Sequence, residues 1–417
     1  MYKRIFSVLF FVLLGFLLVS CEKDDRVELK TISMFGGTDP HAEIYEALIA
    51  EFEEEYNVKI NDSSATSDEL WKTSVISAFY AGNDPDVLFY FTGATAKPLV
   101  DNKLVVSIAD IRKEYPDYAK NISDSVIDPY AVTLKGFVEG VFVNTELFTG
   151  DLASYLEKDV WTWQDYHDIA EKLIAKDIIP FALGATDVPH YWIEHLVLGT
   201  LGPDAFTNIK DSIEDHEDAW VNALKKFKHF ADLGWFGPTN GNQEHQMAEA
   251  TFKDAKAAMI LDGSWFAVNF DETTKVKASK LKMVPFPAIP TNEGGKNKVY
   301  MQSGFTSGFY ISKKAWNDPN KRELCVKLVE MMTKTESIAK FCAGGGIPAD
   351  PAVVLANQTN LQISMNSMPA RTAEATLPLS DAAKAGTFIH LVSAANDYLT
   401  ANETAIKAAL KIFADAQ

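Results

Sequence analysis

The sequence predicts an α/β protein built in two lobes, and three observations support this. Short apolar runs typical of strands alternate with segments whose apolar residues recur at helical spacing, which is the pattern of an α/β architecture. The chain has 417 residues, and one hydrophobic core rarely serves more than about 300. Hydrophobic residues make up 47% of the chain, which is enough material for two cores.

The chain begins as strand, helix, strand. Residues 28–33 and 58–60 are predicted strands. The helix between them has an apolar residue at every fourth position: Ile44, Leu48, Phe52 and Tyr56. A further helix over 69–81 is predicted to end at Gly82, and the apolar run over 86–91 is typical of a buried strand in an α/β sheet.

The middle of the chain continues the alternation. Residues 140–144 predict another strand, and Thr162 is placed as the N-cap of a helix with Asp165 three residues on. A later helix has one apolar face: Trp220, Leu224, Phe227 and Ala231. Gly234 is placed to end that helix.

Residues 1–20 are predicted to be a signal peptide. Lys3 and Arg4 precede an apolar run over 5–19; such a run makes about 22 Å of helix, which is shorter than the roughly 30 Å hydrocarbon core. Its end resembles a bacterial lipobox, in which Cys21 is lipidated and begins the mature protein. The alternative is an ordinary signal peptide with a cysteine beside its cleavage site.

Residues 21–27 are predicted to form a solvated tether. Their charged stretch over 22–26 also resembles the acidic signal that sends some Gram-negative lipoproteins to the outer face of the outer membrane. No later apolar run approaches the length of about 18 residues that a membrane helix needs. We therefore expect the mature chain to reach the membrane through its lipid anchor only.

The charge of the chain argues against nucleic acid as a partner. Thirty-nine basic against 57 acidic residues give a net charge of -18, which repels phosphate backbones. Beyond Cys21 only Cys325 and Cys342 remain, too few for a disulfide framework. One disulfide and two buried free thiols are both consistent with this pattern.

Catalytic and cofactor motifs are absent from the sequence. It has no GxxxxGK[ST] phosphate loop, no HExxH zinc helix and no GxSxG elbow. His190 and His195 are five residues apart, which suits one helical face poorly, and no other metal-ligand spacing occurs. We expect no catalysis, no cofactor and no metal. A glycosidase stays open as an alternative, because its two carboxylates can lie far apart in sequence.

Local patterns cover nearly the whole mature chain in a characteristic order. They lie at 52–60, 82–91, 143–148, 162–183, 252–265, 285–287, 303–312 and 347–349. The most specific is Lys-Ala-Ala-Met over 256–259, followed by Gly-Ser-Trp over 263–265. Together they resemble the extracellular solute-binding proteins, family 1, of carbohydrate ABC transporters, which include the maltodextrin-binding protein. The main departure is Asp254-Ala255, where the family has a glycine.

The resemblance implies a periplasmic-binding-protein-like fold, with two α/β lobes and a ligand cleft between them. Closure of two lobes about a hinge can bury most of a small ligand. By this resemblance the first lobe holds residues 28–138 and 284–335, and the second lobe holds 139–283 and 336–417.

Sugar rings have apolar faces and hydroxyl rims, so a sugar site needs aromatic platforms and short polar side chains. Trp265 matches a position that stacks on sugar in the family; the alternative is core packing. Tyr90 ends a predicted strand where a family aromatic faces the cleft, while Phe89 is expected to point into the sheet. Asp187 and Trp192 fall at the corresponding place in the second lobe.

Three more polar residues complete the predicted site. Thr38 and Asp39 lie in the loop after the first strand, at the mouth of the cleft in this architecture. Asp262 immediately precedes the Gly-Ser-Trp turn. The alternatives for all three are N-cap and turn roles.

The resulting expectation is a lipid-anchored, extracytoplasmic, monomeric protein. It captures a sugar or oligosaccharide by hinge closure and delivers it to the permease subunits of an ABC importer. Two alternatives stay open: a binder of the same fold for a non-sugar solute, and a surface hydrolase of glycans.

Overall fold

The computed structural model describes residues 25–356 and 358–417. Cys21, the signal peptide 1–20 and residues 21–24 of the tether lie outside the described residues. The strands are β1 Glu28–Ile32, β2 Lys59–Asp62, β3 Val87–Phe91, β4 Val132–Thr133, β5 Lys135–Asn144, β6 Ile179–Ala182, β7 Ala257–Gly263, β8 Leu281–Val284, β9 Tyr300–Gly304, β10 Ser307–Ile311, β11 Ile347–Pro348 and β12 Glu374–Thr376.

The helices alternate with these strands along the chain. They are α1 Ala42–Tyr56, α2 Glu69–Tyr80, α3 Gly93–Asp101, α4 Ile108–Glu114, α5 Trp163–Ile174, α6 His190–Leu201, α7 Asp204–Thr207, α8 Ile209–Asp232, α9 His245–Lys253, α10 Lys313–Asn317, α11 Arg322–Thr333, α12 Thr335–Cys342, α13 Asn360–Asn366, α14 Leu379–Ala382, α15 Ile389–Val392, α16 Ala395–Thr400 and α17 Glu403–Ala416. Among the described residues, no helix combines the length and the apolar character needed to cross a bilayer.

Local chemistry explains where several of these elements begin and end. The Thr162 side chain accepts a hydrogen bond from the Asp165 backbone, and the Asp165 carboxylate accepts one from the Thr162 backbone. This capping box confirms the predicted start of α5. Helix α8 ends beside Gly234, which has a φ of 76°, a left-handed conformation that glycine adopts without strain.

The first lobe is built on a five-stranded sheet with the order β2-β1-β3-β10-β4. Strand β1 pairs in parallel with β2 and β3, while β10 runs antiparallel to β3 and β4. Alternate residues of a strand face opposite sides of the sheet. Phe89 therefore packs into one core layer, and Leu88 and Tyr90 pack into the other, so helices cover both faces.

The second lobe is built on a sheet with the path β12-β9-β5-β7-β6, to which β8 and β11 add by pairing with β5. Strand β5 runs antiparallel to β7, β8 and β9, and β6 runs parallel to β7. Its largest core layer is rich in aromatic side chains, including Trp161, Trp192 and Trp220. The two sheets and their helices confirm the predicted two-lobed α/β fold.

The chain passes directly between the two sheets at two places. Only Leu134 separates β4 in the first sheet from β5 in the second, and residues 305–306 connect β9 back to β10. Strand β11 pairs with the start of β5, where Ile347 lies opposite Gly136. These crossing segments bring the start of β5 to the boundary between the lobes.

The packing differs from the predicted lobe boundaries in two places. Phe286, Ile289 and strand β9 belong to the second lobe, although 284–335 was assigned to the first. Ile338 and Phe341 pack into the first-lobe core, although 336–417 was assigned to the second. The amino-acid composition does not show which lobe these segments join, because they are apolar in either lobe.

Cys325 and Cys342 are free thiols, and both are buried in the first-lobe core. Burial raises the pKa of Cys342 to about 11 and raises the pKa of Cys325 further. Both are therefore protonated at neutral pH and behave as small apolar side chains. Of the two alternatives left open by the sequence, the structure has the pair of free thiols.

Candidate ligand-binding cleft

The floor of the cleft is the first half of crossing strand β5. Alternate residues of a strand lie on one face, so Lys135, Phe137 and Glu139 line the same side. Lys135 Nζ lies 2.6 Å from His41 Nε2 in the first lobe. The ring centroid of Phe137 lies 5.3 Å from that of Trp265 in the second lobe. This short stretch of strand therefore contacts both lobes.

Trp265 is the aromatic residue of the second-lobe wall. Its half-buried ring lies next to Phe137 and 6.0 Å, centroid to centroid, from Tyr191. A Cβ atom at position 263 would lie 2.2 Å from the Trp265 ring, so only glycine lets the ring fold back over this turn. The exposed part of the indole gives the wall an apolar surface beside polar groups.

Asp262 and His245 form an ion pair in the same wall. His245 Nε2 lies 3.1 Å from Asp262 Oδ2, and Asp262 Oδ1 accepts a hydrogen bond from the Gly263 backbone at 2.7 Å. Burial lowers the pKa of His245, but the hydrogen bond and charge of Asp262 outweigh it and the net pKa is raised. Asp262 is fully buried, so it acts on the cleft through His245 and makes no direct contact with the surface.

Asp187 joins this wall through the backbone of His245. Its Oδ1 accepts a hydrogen bond from the His245 N–H at 2.8 Å, and the side chain is otherwise exposed. Glu249 Oε1 lies 3.6 Å from His245 Nε2. His245, Glu249 and Asp262 offer ligand atoms within 4.8 Å of one another, a spacing that a divalent cation could use. The ion pair by itself explains why these groups lie together.

Thr38 and Asp39 lie in the first lobe, in the loop after β1. The Thr38 N–H donates to Thr66 Oγ1 at 2.9 Å, and the two threonine hydroxyls lie 3.1 Å apart. Asp39 Oδ1 accepts from the His41 N–H at 2.8 Å. The Asp39 bond is a turn interaction, which is the alternative role predicted for it, whereas the Thr38 bonds join this loop to the loop that carries Thr66. The exposed Thr38 hydroxyl and the half-exposed Asp39 carboxylate stay candidates for ligand contact.

His41 links this loop to the floor of the cleft. It is buried, and its Nδ1 lies 3.4 Å from Asp39 Oδ1 while its Nε2 meets Lys135. Burial and the Lys135 charge lower the pKa of His41, and burial lowers the pKa of Lys135 to about 8. A neutral His41 can therefore accept a hydrogen bond from the Lys135 ammonium.

Tyr90 does not face the cleft. It has no exposed surface, its hydroxyl donates to the Lys72 carbonyl at 2.8 Å, and its ring packs near Trp71. The strand that carries it is central in the first sheet and is covered by helices on both faces. The predicted ligand contact is therefore replaced by a core role.

Trp192 is also a core residue. Only 2% of it is exposed. Its ring is surrounded by five other aromatic rings, those of Phe181, Phe227, Phe230, Phe236 and Phe286. The neighbouring Tyr191 is also buried, and its ring lies 5.8 Å from that of His245 and 6.0 Å from that of Trp265, centroid to centroid. The predicted ligand contact of Trp192 is therefore replaced by a core role, because the sequence does not show how the helix is rotated.

The deep end of the cleft holds an ion pair between the lobes. Lys72, on α2 of the first lobe, lies 2.8 Å from Glu69 Oε1 and 3.7 Å from Asp381 Oδ1. Asp381 is on α14, whose Leu379 belongs to the second-lobe core. Burial lowers the pKa of Lys72, but the Glu69 and Asp381 charges raise it by more. This contact holds the lobes together in the arrangement seen here.

Next to this pair lie buried polar groups without internal partners. Glu139 Oε2, Glu194 Oε2, His195 Nε2 and Gln302 Oε1 have no hydrogen-bond partner within the described residues. Glu139 Oε2 lies 4.0 Å from His195 Nδ1, and Gln302 Nε2 lies 2.8 Å from the same nitrogen. Such buried orphans are rare in proteins and require an explanation.

The two carboxyls of this group have strongly altered acidity. Burial and the charge of Glu194 raise the pKa of Glu139 well above its usual range. Burial raises the pKa of Glu194 to about 8, although a hydrogen bond from the Ser380 backbone opposes the rise. Burial lowers the pKa of His195 to about 4. At neutral pH this end of the cleft is therefore mostly uncharged apart from Lys72 and its partners.

Sequence reasoning missed Glu139, Glu194 and His245. A usable signal existed for the first two, since each is a charged residue inside an otherwise apolar strand or helix. A lone charge in such a run is expensive to bury and so points to a role. His245 had no such signal, because it begins an ordinary polar helix.

A cavity of about 200 Å³ lies beside the Trp265 turn. Ser264, Val138, Gly346 and Met365 are among the residues that line it. Val138 points to the opposite face of β5 from Phe137 and Glu139, so this cavity is separate from the floor of the cleft.

This arrangement of two α/β lobes, crossing strands and a polar and aromatic cleft defines the class of binding proteins that close around a small solute. The family profile "Bacterial extracellular solute-binding protein" matches residues 38–339. The chain belongs to this family, which confirms the prediction from sequence. No curated protein matches the sequence.

Several solved structures share the fold. A "Chitin oligosaccharide binding protein" is 20% identical, with a TM-score of 0.80 over 94% of this chain and 99% of that one. A maltose/maltodextrin-binding domain from Bdellovibrio bacteriovorus, bound to maltotriose, is 16% identical, with a TM-score of 0.69 over 93% and 99%. A protein in complex with raffinose is 16% identical, with a TM-score of 0.69 over 93% and 98%. At these identities the likeness concerns the fold alone.

Proposed function

We propose that this protein captures a sugar or oligosaccharide in the cleft between its lobes and delivers it to an ABC importer without chemical conversion. The observation that carries the proposal is the wall around Trp265. A half-buried indole lies beside Phe137 and Tyr191 and next to the polar groups of His245 and Asp187.

This combination suits the chemistry of sugars. The apolar face of a sugar ring stacks on an indole, and its hydroxyls hydrogen-bond to polar side chains held at the edge of the ring. Thr38 and Asp39 of the first lobe supply further polar groups across the cleft. A sugar without a hydroxyl at the matching position leaves a buried polar group without a hydrogen bond, which costs about 1–3 kcal/mol of binding free energy. These polar groups therefore discriminate among sugars.

Capture requires that the ligand binds one lobe arrangement more tightly than another. Residues from both lobes and from the crossing strand line the cleft, so a bound sugar contacts parts that move relative to each other. The solved structures of the same fold that are named for oligosaccharides support this ligand class.

The proposed cellular location of the protein depends on its N-terminus. A lipid on Cys21 holds the monomeric domain outside the cytoplasm, where it meets the permease subunits of the importer. Globomycin, which blocks lipoprotein signal peptidase, should cause the uncleaved precursor to accumulate. A Cys21→Ala variant should lose its incorporated palmitate and leave the membrane fraction.

The binding proposal is tested by a thermal-shift screen of residues 22–417 against neutral sugars, amino sugars, polyols and uronic acids. A ligand at a hundred times its dissociation constant stabilises the fold by about 2.7 kcal/mol. We expect a selective shift with one family of oligosaccharides, and chromatography of the recovered ligand should show it unchanged.

Two outcomes would contradict the proposal. A shift with peptides or other non-sugar solutes only would make the protein a binder of another solute. Turnover of a glycan in the recovered ligand would make it an enzyme, and the two buried carboxyls of the cleft would then be the first residues to replace.

A further inference from the structure

We infer that the deep end of the cleft selects a ligand with a positively charged nitrogen, namely an amino sugar with a free ammonium group. This inference rests on the proposed sugar-binding function and adds the charge class of the ligand. It follows from the buried groups around Glu139 and Glu194.

The buried acids outnumber the buried bases here. Glu69, Glu139, Glu194 and Asp381 converge on this end of the cleft, and Lys72 is the one basic side chain paired with them among the described residues. The neighbouring His195 is neutral because of its burial. Asp262, which also faces Glu139, is already paired with His245. When Glu139 and Glu194 are ionised, one further positive charge brings this region closer to balance.

With both carboxyls ionised, the hydrogen bonds show the same deficit of donors. Glu194 Oε1 accepts from the Ser380 N–H at 2.7 Å, while its Oε2 has no partner within the described residues. Glu139 Oε2 has none either, and both side chains are at least 98% buried. Ionised carboxylate oxygens only accept hydrogen bonds, and an ammonium group offers three donors and no acceptor. The two groups are therefore complementary.

Glu139 and Glu194 lie on the same strand and helix as the aromatic residues that contact Trp265, the proposed sugar platform. Glu139 lies two residues after Phe137 on the same face of β5, and Glu194 lies three residues after Tyr191 on α6. Phe137 and Tyr191 both contact Trp265. Glu139 pairs with Gly263 in the sheet, and the Trp265 ring folds back over Gly263, so a ring stacked on Trp265 lies beside the strand and helix that carry the two carboxyls.

Because the pKa values of Glu139 and Glu194 are raised, binding of an ammonium group should produce a measurable proton release. Burial raises the pKa of Glu139 and of Glu194, which favours their protonated forms before a ligand binds. An ammonium that is already protonated in solution favours their ionised forms, so its binding releases the carboxyl protons into the buffer. A neutral sugar that hydrogen-bonds to the protonated carboxyls releases none.

The experiment is isothermal titration calorimetry of residues 22–417 at pH 5.5, where the ligand amine is already protonated, with three oligosaccharides of equal length and β-1,4 linkage. The first carries a free amine at C2, the second an N-acetyl group and the third a hydroxyl. Each titration is run in two buffers of different ionisation enthalpy. We expect the amine form to bind at least tenfold more tightly than the other two, with proton release for that form alone.

Glu139→Gln and Glu194→Gln supply the matched variants. Glutamine mimics the protonated carboxyl, so both variants should keep the wild-type melting temperature. Each should reduce the preference for the amine at least fivefold and reduce the proton release. Glu403→Gln, at an exposed ion pair with Lys225, is the control and should leave both quantities unchanged.

Equal or tighter binding of the acetylated or hydroxyl form would overturn the inference and leave the sugar-binding function standing. The same holds if the amine is preferred but neither glutamine variant changes that preference. If no carbohydrate in the thermal-shift screen binds, the proposed function itself fails, and this inference fails with it.

Discussion

Trp265 and Trp192 are both second-lobe tryptophans that the sequence places at the ligand site, and the structure separates them. Trp265 follows a glycine turn at the end of β7, and its half-buried ring lies beside Phe137, Tyr191 and polar groups. Trp192 lies inside α6, is almost fully buried and is surrounded by five other aromatic rings.

The difference teaches how the context of an aromatic residue decides its role. Helix α6 is buried along nearly all its length, so any large apolar side chain on it fills a core. The turn at Gly263 leaves the sheet, so the Trp265 ring is held by its neighbours yet stays partly exposed. A rigid ring favours binding, because a side chain that becomes ordered only when the ligand binds loses conformational entropy, and this loss weakens the affinity.

The largest expected effect is on stability, in Trp192→Ala. Removing this fully buried ring leaves a cavity among five aromatic rings, so the free energy of unfolding should fall by about 3–5 kcal/mol. Urea denaturation measures it. Trp265→Ala is the comparison and should lower stability by less than half as much. A larger loss at Trp265 than at Trp192 would reverse the roles given to the two residues.

The second effect is on binding, in Trp265→Ala. If its indole is the sugar platform, the variant should bind the ligand found by thermal shift at least about 30-fold more weakly, a loss of roughly 2 kcal/mol. Titration calorimetry measures it. Trp163→Ala is the control, since Trp163 is a half-buried ring packed near Phe230, outside the cleft. An unchanged dissociation constant in Trp265→Ala would remove this residue from the site.

The third prediction concerns the ion pair that borders Trp265. The pKa of His245 is raised in the folded protein. Its stabilisation is therefore fully present below the unfolded pKa of about 6.5 and is lost as pH rises through the higher folded pKa. Asp262→Asn should lower stability by about 1–3 kcal/mol at pH 5.5, with a smaller difference at pH 9.

Melting curves from pH 5.5 to 9 check this prediction. Asp254→Asn, at an exposed carboxylate that bonds to Lys256, is the control and should show no such pH dependence. A difference between Asp262→Asn and the wild type that stays constant over this range would mean that His245 does not titrate as an ion-pair partner.

The smallest effect is expected for Gly263→Ala. The added Cβ would overlap the Trp265 ring, and relieving such overpacking costs about 1 kcal/mol. The ring must shift, so ligand binding should weaken several-fold while the fold persists. Gly82→Ala is the control: it has a φ of 75° but open space around it, so it strains the backbone without touching the cleft. Equal binding by both variants would show that the ring tolerates displacement.

Much of the fold was predictable because it depends on local patterns. Three predictions that depend on neighbouring residues are confirmed: the periodicity of α1, the capping box at Thr162 and the buried strand β3. The candidate site was predictable in part. Asp187, Asp262 and Trp265 do converge in the second lobe, but Asp262 works through His245, and Tyr90 and Trp192 belong to the cores.

The sequence by itself determined the α/β class, the family and the Gly-Ser-Trp turn, because each depends on residue types at fixed spacing. Only the tertiary structure decided which lobe each crossing segment joins and which side of α6 faces the cleft. It alone brought Glu139, Glu194 and Lys72 together, from segments far apart in the chain. The rotation of a buried helix and the meeting of distant charges are set by the packing of whole lobes, which no local pattern encodes.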